Sequence, residues 1–176
     1  MTYKEIVYQQ DVIEFVTVAV QTCLFLEKSQ DNEPREFIDK ATKLLPLLYL
    51  KTRMLNLPQS TDEEDELMHF VAEEDYNYVE QGVSQILGQD NAYLEVFVDD
   101  MRYSDTPITA FISENLADIY QELKDMAANF QTENEPAMYA ALRQCLDAFN
   151  EHWGQKLLNA LRALHALTNK ETDDVA

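Results

Sequence analysis

Glycine and proline are scarce in this chain, 3 and 5 of 176 residues, and leave few places for the tight turns of a β-rich fold. Cysteine occurs twice, at Cys23 and Cys145, each inside an apolar helical pattern and without a His nearby in sequence. Both are expected to be reduced core residues, neither a disulfide nor a catalytic thiol. The most apolar run, "VIEFVTVAVQTCLFL" at 12–26, carries Glu14 and Gln21 and is too short and too polar to span a bilayer. The opening "MTYKEIVYQQ" has no basic stretch followed by an apolar one, so no secretory signal is read there and a cytoplasmic location is expected. A Ser/His/Asp signature, a glycine-rich phosphate loop and a Cys-x-x-Cys pair are all missing.

Basic residues are missing from one stretch altogether. Residues 1–57 hold 7 basic and 8 acidic groups, residues 58–101 none and 13, and residues 102–176 6 and 12, which together make the net charge of −20. Such a field repels nucleic acid and anionic lipid, and favours basic partners or cations.

What is abundant is helix-forming: Leu, Ala, Glu, Gln and Lys. Residues 4–29 carry one long helical pattern. "SQDNEP" then offers Asp31 and Asn32 as caps and Pro34 for the first turn of a second helix, which runs to about Thr52 and is expected to kink or split at Pro46. A third helix is predicted over about 62–87. Ser60 to Glu63 or Thr61 to Glu64 forms its capping box, and Gly88 its C-terminal cap. A short helix over 90–101 follows, then one reaching Phe130 with Ser104 or Asp105 as cap and Pro107 in its first turn. The last pattern opens at Pro136 and runs to about 169, interrupted at Trp153-Gly154. The fold expected is all-α: a single-domain irregular bundle of six or seven helices over 1–170, with a polar tail at 171–176. Trp153-Gly154 reads as a helix junction, Gly permitting a bend or close approach and the Trp ring anchoring the core.

Several constellations bear on chemistry. "TDEEDE" at 61–66 suits the first turn of a helix by its dipole and lacks the Gly and spacing of a calcium loop. Glu66-x-x-His69 puts a carboxylate and an imidazole on one helical face, but a di-iron bundle needs a second such motif, and neither His152 nor His165 has a Glu three residues before it. Glu63 and Glu66 form a Glu-x-x-Glu pair whose nearest counterpart, Glu122 to Asp125, lies far downstream, against the spacing of helical pyrophosphatases. Tyr76, Tyr78, Tyr93 and Tyr103 lie in or beside the acid-dense segment, as core rims or as part of an aromatic, acidic surface for Lys- or Arg-bearing peptides.

The more informative pattern joins two helices. At about 100° per residue, Glu114, Asp118, Gln121 and Asp125 stack on one face, with Leu116, Ile119, Leu123 and Ala127 opposite. Gln155, Asn159 and Arg162 stack likewise, opposite Trp153, Leu157, Ala160 and Leu164. The two stripes are either the wet faces of amphipathic helices, docked by Arg162 to Asp118 or Glu114, or the lining of a groove in which Arg162 anchors a peptide or carboxylate. Glu114, Asp118, Gln121, Gln155, Asn159 and Arg162 are the candidate binding residues; no residue is assigned as catalytic or metal-ligating.

"FVTVAVQTCLFLE" (15–27), "MRYSDTPITAFISENLADIYQELKD" (101–125) and "HWGQKLLNALRALH" (152–165) resemble an uncharacterised bacterial all-helical family, catalogued as a domain of unknown function and common in gut Bacteroidetes. The resemblance implies a helical intracellular domain and brings no activity, cofactor or catalytic residue with it. The function expected is a protein interaction or regulatory module that binds a protein partner, basic in the electrostatic version, through the acidic surface or the polar groove. A DNA mimic is one variant. No cofactor, nucleic acid or membrane is expected. The alternative is a metal-assisted hydrolase using helix-borne carboxylates of the third and fifth helices, with His69.

Overall fold

The computed structural model describes residues 1–58, 67–95 and 107–170. Among these are seven α-helices: α1 (Tyr3–Val7), α2 (Gln10–Glu27), α3 (Pro34–Arg53), α4 (Glu73–Leu87), α5 (Ile112–Gln131), α6 (Glu135–Ala148) and α7 (Gly154–Thr168). A two-stranded ribbon, β1 (Ala92–Glu95) antiparallel to β2 (Ile108–Phe111), is the one addition to an otherwise all-α irregular bundle. No described helix is long and apolar enough to cross a membrane.

The α5 helix is the central element, packed against α2, α4, α6 and α7, while α3 closes the layer between α2 and α7. Its inward residues Leu116, Ile119 and Leu123 are buried together with Phe15 of α2, Leu48 of α3, Val83 of α4 and Trp153. A second, smaller core of Ile6, Val7, Met138 and Tyr139 joins α1 to α6.

The helical pattern over 4–29 is broken at Tyr8 and Gln9. Thr2 and Glu5 close a capping box on α1, and Gln9, extended, starts a new helix, so Ile6 and Val7 turn toward α6 instead of the main core. The cap of α3 is Glu33 with Pro34 at its first turn. Asn32 instead donates its amide to the Ser29 carbonyl and accepts from Lys40 Nζ at 2.7 Å. The helix is not split at Pro46, which sits exposed inside a continuous α3.

Three helix boundaries differ from expectation for identifiable reasons. The third helix starts at Glu73: residues 67–72 are not helical, and Asp125 of α5 takes the backbone N–H groups of Phe70 (2.7 Å) and Val71 (2.9 Å) there, while 59–66 lie outside the described residues. Of the short helix expected over 90–101, residues 90–95 instead belong to a 3₁₀ turn, Gly88–Asn91, and to β1, and 96–101 lie outside the described residues. Buried Asn91 grips both Ser113 N and Ser113 Oγ at 2.8 Å, and the ladder from Ala92↔Phe111 to Glu95↔Ile108 fixes the ribbon. Pro107 consequently precedes β2, and α5 begins at Ile112 with Phe111 as its extended N-cap. Gly88 does cap α4, at φ +55°, a backbone region glycine enters without strain. Ser60, Thr61, Glu63, Glu64, Glu66, Tyr103, Ser104, Asp105 and the 171–176 tail lie outside the described residues.

Trp153-Gly154 sits at a π turn, Phe149–Trp153, between α6 and α7. Trp153 is fully buried, donates Nε1–H to the Cys145 carbonyl at 3.0 Å, and meets Phe149 edge to face at 4.7 Å.

Candidate functional site

The acidic stripe of α5 and the polar stripe of α7 lie on neighbouring helices, but Asp118, Gln155 and Asn159 spend hydrogen bonds on three residues outside the stripes, Tyr76, Lys156 and Glu95, and on the Gln155–Asn159 contact within α7. Asp118 accepts from Tyr76 Oη of α4 at 2.7 Å on one oxygen and from Lys156 Nζ of α7 at 2.6 Å on the other. The cation at Asp118 is therefore Lys156, one residue past Gln155 and off the stripe. Gln155 donates to Asn159 Oδ1 at 2.9 Å, and Asn159 donates to Glu95 of β1 at 2.9 Å. Glu114 and Arg162 are exposed. The half-buried Tyr76 phenol is pushed well above its ordinary range by burial, then by its bond to Asp118 and the nearby Glu114 and Glu80 carboxylates.

Gln121 belongs to a different place, a small cleft of about 50 Å³ between the segment before α4 and helices α5 and α6. Met68, His69, Glu122, Asp125 and Cys145 also line it. Asp125 is its most constrained group. One oxygen accepts the two backbone N–H groups already described, the other lies 3.4 Å from His69 Nδ1, and Asn129 closes the segment by donating to the Asp125 and Met68 carbonyls. Glu122 has its carboxyl raised above the ordinary range by partial burial first and the Asp125 charge second, with His152 and His69 opposing. The cleft holds a few waters at most, far below the roughly 300–1,000 Å³ typical of small-molecule sites. The sequence pairs Glu122 with Asp125 by spacing, but does not show that His69 meets them in one cleft. Their meeting depends on the extended 67–71 stretch, which a helical reading over 62–87 hides.

The two views of α5 combine into one surface. Glu114, Asp118, Glu122 and Asp125 descend one side of the helix, bordered by Glu80 and Asp75 of α4 and offset by Lys156 and by the rings of His69 and His152. Among the described residues no three His, Cys, Asp or Glu side chains come together as metal ligands. Tyr78 is exposed, Tyr93 bonds Asn115 through its hydroxyl, and His152 and His165 are exposed. Both cysteines are free and buried. Burial pushes the Cys23 thiol up to about 12 and that of Cys145 well above its ordinary value.

The family described as "Domain of unknown function (DUF5063)" matches residues 6–170, in agreement with the resemblance of the three stretches quoted above. Among solved structures, the crystal structure of protein BF1032 from Bacteroides fragilis is similar to this chain, with 36% sequence identity and a TM-score of 0.83, covering 95% of this chain and 98% of that one. No curated protein matches the chain.

Proposed function

The chain belongs to the DUF5063 family, a domain of unknown function, and from that premise we propose that it is a protein-binding module that takes a Lys- or Arg-bearing segment of a partner along the acidic side of α5. The observation that carries this reading is the run Glu114, Asp118, Glu122 and Asp125 on one helix with Lys156 as its one ion-paired Lys. Glu122, whose carboxyl is raised first by partial burial and then by the Asp125 charge, is in keeping with a locally acidic surface. A cation arriving there relieves repulsion already present, and a field of this sign speeds its arrival. A cytoplasmic location is part of the same proposal, supported by two buried cysteines that form no disulfide.

Fluorescence anisotropy with labelled Lys-rich and Arg-rich peptides tests it. Binding should fall steeply with salt, weaken with Glu114→Gln, and tighten with Lys156→Met, which removes the competing cation. Failure of every basic peptide at low salt, or binding indifferent to salt, overturns it. The second reading, a metal-assisted hydrolase, draws on His69, Glu122 and Asp125, which line one cleft without being gathered as a set of metal ligands. It requires a thermal shift with magnesium, manganese or zinc that Asp125→Asn abolishes.

A further inference from the structure

The outer side of the α2/α3 hairpin carries six exposed, large apolar side chains. Ile13, Val20 and Leu24 fall within about 40° on α2, and Leu47, Leu50 and Met54 within about 60° on α3. All six are large, apolar and 37–53% exposed. The Lys51 to Glu14 ion pair, at 3.1 Å, ties the two helices together between the stripes. Around them the charges cancel locally: Lys43 pairs with Asp39 at 2.9 Å and Lys40 with Glu36 at 4.0 Å. The inner side of α2 packs on α5, so the acidic side chains of α5 lie across the core from this face.

We propose that a second copy of this chain docks here, α2/α3 face on α2/α3 face about a two-fold axis, making a homodimer. Area supports a second copy. At roughly 180 Å² apiece when fully exposed, six side chains exposed by about half leave about 500 Å² of apolar surface in water, near the top of the roughly 300–600 Å² that monomers carry. A standard interface buries about 800 Å² per partner, and homodimer interfaces are about 65% apolar, which calls for about 520 Å² of this kind of surface. Charge supports it as well. Two chains of net −20 repel wherever their acidic surfaces meet, yet residues 1–57, which supply both helices, carry 7 basic and 8 acidic groups. A two-fold arrangement joins the near-neutral faces and sends the acidic sides of α5 outward, in opposite directions. The dimer goes beyond the peptide-binding reading and does not depend on it.

Sedimentation equilibrium of the full chain across micromolar concentrations tests the proposal, with the parent beside Leu50→Glu, Leu47→Glu and the control Leu94→Glu in the ribbon. The parent should reach the mass of two chains and associate more tightly as salt screens the residual repulsion. Leu50→Glu and Leu47→Glu should each weaken association at least about tenfold, because the two-fold axis introduces every new charge twice. Leu94→Glu should associate like the parent. Circular dichroism verifies that the variants keep their helices, which is expected since both leucines are exposed. A parent that stays monomeric, a dimer that salt dissociates, or a dimer indifferent to both α3 substitutions overturns it.

Discussion

Replacing Gly154 by Ala isolates what the π turn demands. Gly154 has ordinary helical backbone angles, φ −61° and ψ −45°, so by propensity alone the change should stabilise the helix by about 1 kcal/mol. Space says the opposite. An added Cβ falls 2.6 Å from the Phe149 carbonyl oxygen and 3.1 and 3.2 Å from two carbons of its ring. The oxygen has little room to withdraw, because it accepts the Gly154 N–H that closes the π turn. The ring is equally confined, edge to face with Trp153 at 4.7 Å and tilted on Tyr49 at 5.3 Å. Overpacking of this kind costs about 1–3 kcal/mol, and because a backbone atom must move the upper part of that range applies. The net expectation is a loss of about 1–2 kcal/mol. Urea titrations followed by circular dichroism should show a lower midpoint with an unchanged slope, and heating a midpoint lowered by about 3–6 °C. A variant stabilised by about 1 kcal/mol would mean that the turn has slack, and that the packing account of Gly154 is wrong.

Trp153→Ala should cost about 3–5 kcal/mol in the same titration, through the cavity left and the lost bond to the Cys145 carbonyl; a loss below about 1 kcal/mol would show that the ring is not a core anchor. Glu122 carries a raised carboxyl, so folding binds its proton more tightly and ionising it opposes folding. That destabilisation is absent below the ordinary carboxylate range and grows as pH rises through the raised value. Glu122→Gln should therefore leave stability nearly unchanged in acid and raise it relative to the parent at neutral pH; an equal difference at both pH values refutes the assignment. Buried thiols at Cys23 and Cys145 should react with a thiol reagent only as fast as the fold opens, and rapid labelling of the native protein would contradict their burial.

The elements legible in the sequence are those whose signal is local. Pro34, Gly88 and Pro136 mark helix ends through their own backbone chemistry, and each stands where that chemistry places it. Apolar periodicity likewise identified the inward sides of α5 and α7. What stayed hidden depends on partners distant in the chain. The stretch 67–72, Leu-Met-His-Phe-Val-Ala, carries no helix breaker and reads as a continuation of the helix that follows, yet Asp125 claims two of its backbone donors from 54 residues or more away. "NAYLE" adopts a strand because Ser113 and β2 are there to receive it. At the candidate site, counting at a fixed angle found Asp118 and passed over Lys156, whose long side chain reaches across from beside the stripe. The α2/α3 face escaped for the opposite reason: its exposed residues belong to helices whose apolar content reads as core.

Cys145, Phe149, Trp153 and Leu157 are all buried, at steps of four residues. In an uninterrupted α-helix those twelve residues would carry the apolar side round by about 120°, whereas eleven would return it to within about 20°. The rod from α6 into α7 thus contains one residue more than its rotation requires, and the π turn is where the surplus is stored. Chain length at this point is therefore a variable that the fold can give up: removing exposed Asn150 or Glu151 lets the turn close as α-helix while α7 keeps its bearing on α3 and α5. An added residue there finds no such relief, and swings Lys156 and Asn159 into the buried places of Leu157 and Ala160. Shortening and lengthening, equal as edits, are unequal as perturbations of this molecule.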